Sequence, residues 1–239
     1  MSTGGADPRY RPLAVTADER AQIEEQLVAC FGLTADGARA WVDTTLRSGC
    51  YFGRKDGDRV AASFALETME FRRGAEVRRA AFLQSHYVHP RYRGLGYGIT
   101  RDDLDVVCRR TSADAVVLSV YSDELIAYWE RLGFAVEQRR EIVALPDYLE
   151  RLAASFAPVL TAAYIAEKVH EAESDGAEVA LQDGLLAIRA RDDEVVTELL
   201  TVDPTAAAAA VDRYPALRIR LRTVMSYPRA LGLFCPVDV

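Results

Sequence analysis

Cysteine, lysine and long apolar runs are all scarce in this sequence. The longest uncharged stretch, Leu152 to Ala166, is too short to span a bilayer and contains Pro158. The first residues lack the basic-then-apolar pattern of a signal peptide. We therefore expect a cytoplasmic protein with no membrane partner. No Cys-x-x-Cys pair occurs, so neither a disulfide framework nor a zinc site is indicated by the four scattered cysteines, Cys30, Cys50, Cys108 and Cys235.

Positive charge is also limited, and nearly all of it is arginine. The chain has 27 arginines and 2 lysines, and its formal net charge is −7. An acidic chain of this kind is not expected to bind nucleic acid in general. Its charge fits either a cationic amine substrate or simple solubility. Since 50% of the 239 residues are hydrophobic, the chain can form a normal packed core.

Glycine, by contrast, is concentrated in one short segment. Gly94, Gly96 and Gly98 lie between a β-like run, Arg79 to Val88, and a helix-like run, Ile99 to Arg110. Glycines allow close approach of a ligand to the backbone, and amides at a helix N-terminus bind phosphate oxygens. The spacing is not that of a dinucleotide fingerprint, and the lysine of a Walker loop is missing. The segment predicts a pyrophosphate-binding turn.

A second segment has a strand followed by a short helix. Ala115 to Tyr121 is an apolar run after a polar turn, which predicts a buried strand. Ser122 is a suitable N-cap for the helix that follows, and Gly133 is a suitable end for it.

Together the two segments resemble a known family. Arg93-x-x-Gly96-x-Gly98, preceded by Val88-x-Pro90, is similar to the (Gln/Arg)-x-x-Gly-x-(Gly/Ala) motif of the GNAT acyl-CoA N-acyltransferase superfamily. The segment ending Trp129-Glu130-Arg131-Leu132-Gly133-Phe134 resembles the family's later Tyr-Glu-Lys-Leu-Gly-Phe element. The resemblance implies an α/β (α+β) fold with a mixed, mostly antiparallel sheet flanked by helices.

Local patterns fit that fold over residues 8–146, the predicted acyltransferase domain. Thr16 and Glu19 form a capping box, and Asp56-Gly57-Asp58 is a hairpin signal between strands Tyr51–Lys55 and Arg59–Phe71. A second helix is predicted from Thr34 to Arg47, and a last strand from Phe134 to Leu145. The residues expected to face inward are Ile23, Leu27 and Cys30 or Phe31 in the first helix, Trp41, Val42, Thr45 and Leu46 in the second, and Leu104, Val107 and Cys108 in the central helix.

Residues 147–239 are predicted to form a helical connection and a small C-terminal α+β appendage. This extension would pack against the core or a second subunit, so a homodimer is one expected assembly. Its predicted elements are a helix over Asp147–Ser174 kinked at Pro158, a hairpin of Gly184–Ala190 with Val195–Val202, a helix over Thr205–Tyr214 and a strand over Leu217–Val224.

The resemblance also implies acetyl-CoA, or another acyl-CoA, as co-substrate. In the family the pantetheine arm lies between two splayed strands, here Arg79–Val88 and Ala115–Tyr121. The backbone of Tyr87 and Val88 would bind the pantetheine, and Ser122 and Trp129 would also contact the cofactor. The pyrophosphate would be held by amides of Arg93, Gly94, Leu95, Gly96, Tyr97 and Gly98.

Candidates for the general base lie on two predicted strands. Strand alternation would place Phe82, Gln84, His86 and Val88 on one face, where only His86 titrates near neutrality. Packing or hydrogen bonding of His86 without catalysis is the alternative, as is a base role for Glu67 or Glu70. A metal site at His86 and His89 is not expected, because their odd spacing separates the two rings.

The general acid is less clear, because Trp129 occupies the position of the family's usual tyrosine. An indole N–H is not a practical proton donor to a thiolate. Tyr128 and Tyr121 are the nearby phenols, although Tyr128 points about 100° away from its neighbour on a helix. The expected activity is N-acyl transfer to a primary amine of a small molecule, or of a protein. The alternative is an acyl-CoA-binding sensor without catalysis.

Overall fold

The computed structural model divides into two compact units. One comprises Met1–Met69 and Arg79–Leu118, and the other Glu70–Arg78 and Ser119–Val239. The structure describes residues 9–73, 76–120, 122–154, 157–158, 169, 172, 176–182, 185–189, 198–201, 214, 217–221 and 223–227.

The elements that lie wholly or for the most part in the first unit are β1 (Arg11–Pro12), α1 (Ala17–Phe31), α2 (Ala35–Ser48), β2 (Gly49–Asp56), β3 (Arg59–Arg73), β4 (Glu76–Val88), a 3₁₀ turn (Pro90–Tyr92), α3 (Arg101–Thr111) and β5 (Ala115–Val120). These five strands are in the order β1-β2-β3-β4-β5. Strands β1 and β2 pair antiparallel, as do β2 and β3, whereas β4 and β5 pair parallel.

Helices α1 and α2 begin where the sequence predicts. The Thr16 hydroxyl and the Glu19 carboxylate form the predicted capping box, and Thr34 caps α2. Two of the predicted inward positions in α1, Ile23 and Leu27, are buried against α2.

The predicted inward faces are wrong near the C-terminal ends of α1 and α2. Cys30 is exposed, Phe31 is 43% exposed and Leu46 is 40% exposed. Each is in the last turn of its helix, where the buried stripe has already ended. Trp41 is half-buried at the edge of the α1–α2 core. In α3, Leu104 and Val107 are buried as predicted, whereas Cys108 is half-buried.

The β2–β3 hairpin is confirmed, with Gly57 in the left-handed region at φ +58°. At the other end of β2, Gly49 lies against β3. A Cβ built on Gly49 would be 2.0 Å from the Leu66 carbonyl oxygen, so this close approach requires glycine.

The second unit contains α4 (Asp123–Arg131) and a series of short strands. Strand β6 (Ala135–Gln138) pairs antiparallel with β13 (Thr223–Tyr227), and β7 (Glu141–Ala144) pairs antiparallel with β12 (Arg218–Leu221). A separate three-stranded sheet contains β9 (Glu178–Gln182), β10 (Leu185–Arg189) and β11 (Glu198–Thr201).

Several C-terminal predictions need correction. The single strand predicted over Phe134–Leu145 is two strands, and the one predicted over Leu217–Val224 is likewise two, because each half has a different partner. The predicted helix from Asp147 begins at Leu145 and ends at Ala154. Residues Ala157–Pro158 form strand β8, paired with Phe71 and Arg72, so Pro158 is not a helix kink.

Other predictions for this region are confirmed or remain open. The predicted hairpin is present as β10 and β11, although β9 was missed. The helix predicted over Thr205–Tyr214 lies outside the described residues except for Tyr214. The predicted domain boundary at residue 146 stays a prediction, although strands on its two sides pair with each other. No helix among the described residues is long and apolar enough to cross a membrane.

Candidate active site

The glycine-rich turn after β4 adopts a backbone that glycine permits. Gly94 and Gly96 have φ values of +76° and +78°. The N–H groups of Arg93 and Leu95 are consumed in the turn by the carbonyls of Pro90 and Tyr92. Within residues 9–73 and 76–120, the N–H groups of the remaining loop residues, Gly94, Gly96, Tyr97 and Gly98, have no hydrogen-bond acceptor. These four amides lie in the turn that leads to α3, which begins at Arg101, and can receive phosphate oxygens.

A buried carboxylate fixes this turn relative to the N-terminal segment. Asp103 is 1% exposed, and its Oδ1 accepts the N–H groups of Arg9 at 2.8 Å and Tyr10 at 3.0 Å. Its Oδ2 accepts the N–H of Thr100 at 2.9 Å, which completes a capping box at the start of α3. The helix N-terminus is thus held by side chains without using the glycine amides.

Two arginines approach the turn at the Gly96 carbonyl. Arg9 Nη1 donates to this oxygen at 3.2 Å, and Arg54 Nη1 donates to it as well. The Arg54 guanidinium also lies over the Tyr97 ring, 4.0 Å from its centroid. The side chain of Arg93 instead folds back on β4 and donates from Nε to the Val88 carbonyl at 3.0 Å.

Strand β4 leaves its partner β5 before reaching the turn. The parallel pairing runs from Ala80 with Ala115 to Phe82 with Val117, and no later pair is found among the described residues. Ser85 has φ +51°, which is uncommon for a residue other than glycine and bends the strand. Beyond Phe82, β4 therefore carries backbone groups that are not paired with β5, including those of Tyr87 and Val88.

His86 lies in a mostly aromatic environment. Its ring centroid is 6.4 Å from the centroids of both Tyr10 and Phe64, and its Nε2 is 3.4 Å from the Tyr10 hydroxyl. That hydroxyl donates to the Tyr97 carbonyl at 2.9 Å, so its oxygen can accept the Nε2 proton of a neutral imidazole. Tyr10 thus joins His86 to the glycine-rich turn.

Burial lowers the pKa of His86 to about 4, from an ordinary value of 6.5. The imidazole is therefore neutral at pH 7, but it is a weak base. As a general base it would not give the pH–rate profile the transition near pH 6.5 that an ordinary histidine gives.

The same shift predicts a loss of stability in acid. Between pH 6.5 and about 4 the unfolded state binds a proton at His86 that the folded state does not, so stability falls as pH falls through this window. Going from pH 7 to pH 5 should cost up to about 2 kcal/mol of unfolding free energy from this residue. Urea unfolding at the two pH values, in wild type and His86→Gln, measures it. An equal pH dependence in the two proteins would contradict the assigned shift.

Gln84 and His86 contact side chains on opposite faces of β3. The Gln84 amide donates to the Glu67 carboxylate at 3.2 Å, whereas the His86 ring lies near Phe64. Phe64 and Glu67 are an odd number of positions apart in a stretch of β3 that pairs regularly with β2, so they face opposite sides.

The prediction that Phe82, Gln84, His86 and Val88 share one face is therefore wrong. The positive φ of Ser85 interrupts the alternation between Gln84 and His86. Glu67 is two positions from Ala65, which packs against α1 and α2. The Glu67–Gln84 pair thus lies on the face of the sheet that these helices cover, and His86 lies on the other.

In the second unit, the predicted cap is present and the aromatic residues are packed. Ser122 Oγ accepts the Leu125 N–H at 3.4 Å, and α4 ends before Gly133, which has φ +100°. Trp129 is 4% exposed, and its ring meets those of Tyr128 and Phe134 edge-on, each at 5.1 Å. Burial raises the pKa of Tyr128, so its phenol stays protonated at neutral pH.

Tyr121, the other phenol considered as an acid, lies outside the described residues. No group of three or more His, Cys, Asp or Glu that could hold a metal occurs in the part of the chain that the structure describes.

No protein-family model and no curated protein matches the sequence. Several solved structures match the three-dimensional arrangement. A GCN5-related N-acetyltransferase from Kribbella flavida has a TM-score of 0.61 at 18% identity, covering 93% of this chain and 72% of that one. A probable N-acyltransferase of unknown function from Enterococcus faecalis V583 has a TM-score of 0.63 at 12% identity, covering 95% and 74%. This chain has the GNAT fold.

A third match extends the comparison to a mycobacterial protein. Eis1 from Mycobacterium abscessus has a TM-score of 0.56 at 15% identity, covering 90% of this chain and 65% of that one. The predicted fold class and the resemblance stated from the two motifs are thereby confirmed. At identities this low, what the proteins share is the GNAT fold.

The first unit brings together one group of predicted site residues and separates another. The turn Arg93–Gly98 lies at the end of β4 with Tyr87 and Val88, as predicted. His86 and Glu67, the two predicted bases, lie on different faces of the sheet. Sequence reasoning missed Tyr10, Arg9, Arg54 and the buried Asp103. Only Asp103 had a local signal, since Thr100-x-x-Asp103 has capping-box spacing.

Proposed function

We propose that this protein is an acyl-CoA-dependent N-acyltransferase that transfers an acetyl group to a primary amine of a small molecule. One observation carries the proposal. The glycine-rich turn offers four unpaired amides between α3 and the end of a strand that has left its parallel neighbour. This arrangement suits a ligand with a pyrophosphate at the turn and an extended arm along β4.

The residues proposed to hold acetyl-CoA follow from this arrangement. The amides of Gly94, Gly96, Tyr97 and Gly98 would bind the pyrophosphate. The amides of Arg93 and Leu95 already donate to carbonyls within the turn, so we propose that these two residues shape the turn and do not bind the pyrophosphate. The backbone of Tyr87 and the N–H of Val88 would bind the pantetheine arm, because Arg93 already uses the Val88 carbonyl. Ser122 and Trp129 remain proposed cofactor contacts.

Glu67 is the proposed general base. In the reaction, the amine nitrogen forms a bond to the acyl carbon, and the bond from that carbon to sulfur breaks. The amine must lose a proton, and a carboxylate oriented by Gln84 is a suitable acceptor. His86 is less suitable, because its pKa of about 4 makes it a weak base. We therefore assign His86 a positioning role with Tyr10.

Tyr128 is the proposed proton donor to the departing thiolate. Its raised pKa keeps the phenol protonated, as an acid requires. Solvent is the alternative donor, because a thiolate leaves readily. A buried indole at the family's tyrosine position favours a second candidate function, an acyl-CoA-binding sensor without catalysis.

A panel of primary amines assayed for release of free CoA separates the two functions. With acetyl-CoA, an enzyme should release CoA above the hydrolysis background with at least one small amine. A sensor should bind acetyl-CoA, seen as a raised thermal midpoint, but release no CoA with any amine or peptide. Failure of acetyl-CoA to change the midpoint would contradict both functions.

A further inference from the structure

A cleft opens beside the glycine-rich turn. It has a volume of about 630 Å³, within the range of small-molecule sites. Its walls come from the N-terminal segment through Ala14, from the start of α1 and from the end of β2. Neither β4 nor β5, the strands assigned to the pantetheine arm, contributes to it.

The cleft is strongly basic in an acidic protein. Four cations line it, Arg9, Arg11, Arg54 and Lys55, against one carboxylate, that of Glu19. Glu19 is already engaged, because it accepts the Thr16 N–H at 2.9 Å and the Lys55 ammonium at 3.0 Å. These contacts hold the pKa of Glu19 below its usual range, so it stays ionised and neutralises only Lys55.

Two of the cations have donors to spare. Arg9 and Arg54 each donate to the Gly96 carbonyl, and neither forms an ion pair with a carboxylate in the described part of the chain. Each guanidinium has five N–H donors, so most remain available. Their Nη1 atoms share one acceptor and therefore lie close together. An anion between them would offset the repulsion of two like charges.

The chain that forms one wall is strained. Val15 has φ +50°, a conformation that a β-branched residue rarely adopts. It follows the cleft residues Leu13 and Ala14. The Leu13 side chain packs against the backbone of Gly53. A Cβ built on Gly53 would lie only 2.7 Å from Leu13 Cδ1, so Leu13 occupies the space that a larger residue would need. Strain of this kind tends to occur at ligand sites, where the surrounding structure maintains it.

We propose that this cleft binds a phosphate group. Guanidinium forks match the geometry of phosphate oxygens, and the cations in excess of Glu19 suit a doubly charged phosphate better than a singly charged carboxylate. The phosphate belongs either to a separate phosphorylated ligand or to the 3′-phosphate of CoA bound at the neighbouring turn. The shared Gly96 carbonyl links the cleft to that turn.

Titration of the full chain with inorganic phosphate tests the proposal, with chloride at equal ionic strength as the reference. The titration is repeated with saturating dephospho-CoA, which occupies the turn but has no 3′-phosphate. Any change of the thermal midpoint that inorganic phosphate still causes then comes from the cleft. Phosphate should raise the thermal midpoint of wild type. Arg11→Gln and Arg54→Gln each remove a cation that Glu19 does not neutralise, so each should weaken phosphate binding at least about 10-fold, as expected when a charged hydrogen bond is lost. Arg39→Gln, on the exposed face of α2, is the matched control and should bind as wild type does.

If dephospho-CoA does not bind, phosphate binding by wild type and by the variants can still be compared on the ligand-free protein, and that comparison is decisive. Circular dichroism and the midpoint without phosphate establish that each variant is folded. If CoA, but not dephospho-CoA, removes the phosphate response, the site belongs to the cofactor's 3′-phosphate. If the response persists with both, the ligand is a separate phosphorylated molecule. No response above chloride, or equal weakening by Arg39→Gln and Arg11→Gln, would overturn the proposal.

Discussion

Replacing Gly96 with aspartate should weaken acetyl-CoA binding at least about 100-fold, or about 3 kcal/mol. A carboxylate at this position would stand beside the amides proposed to bind the pyrophosphate and would repel it. Space is not the limiting factor, because the nearest atom to a Cβ at Gly96 is Arg9 Nη1 at 3.8 Å. The measurement is the thermal midpoint as a function of acetyl-CoA concentration.

Gly96→Asn is the matched control for that change. Asparagine and aspartate have the same shape and tolerate positive φ to a similar degree, so the backbone strain at a φ of +78° is similar in the two variants. Only aspartate adds charge. Asparagine should therefore retain binding within about 10-fold of wild type. Equal losses in the two variants would refute the electrostatic explanation, and no loss in either would remove the turn from the site.

Glu67→Gln should lower the turnover number by about 10²-fold or more, the usual contribution of a general base. The amide keeps the shape of the carboxylate and its contact with Gln84, but it cannot accept the amine proton. Acetyl-CoA affinity should not change, because Glu67 is not among the groups proposed to bind the cofactor. The assay is release of free CoA with the best amine of the panel, with the midpoint shift measured in parallel.

His86→Gln distinguishes the two predicted bases. With a pKa of about 4, the imidazole is a weak proton acceptor, so we expect turnover to fall by less than about 10-fold. Its loss should act through the contact with Tyr10, and Tyr10→Phe should then have a similar effect. A larger loss in His86→Gln than in Glu67→Gln would return the base role to the histidine.

The C-terminal region shows what local patterns miss. The segment from Phe134 to Leu145 predicts one strand, and the sequence does not reveal that its halves pair with two different strands about 80 residues later. The strand is interrupted at Arg139 and Arg140 because the residues before and after them pair with different strands. Similarly, Ala157–Pro158 joins β3 although the surrounding composition favours a helix, because pairing with a distant strand overrides local preference.

The sequence by itself determined those features that depend on a few neighbouring residues. These include the Thr16–Glu19 capping box, the turn at Gly57, the Ser122 cap and the glycine-rich segment, with its resemblance to the GNAT motif. Tertiary structure alone decided that Tyr10 joins His86 to Tyr97, that Glu67 meets Gln84, and that two arginines converge on Gly96. The backbone angle of Ser85 moved His86 away from the face of Glu67, and burial made it a weak base. Register and desolvation depend on residues distant in the chain, so no local spacing could have predicted them.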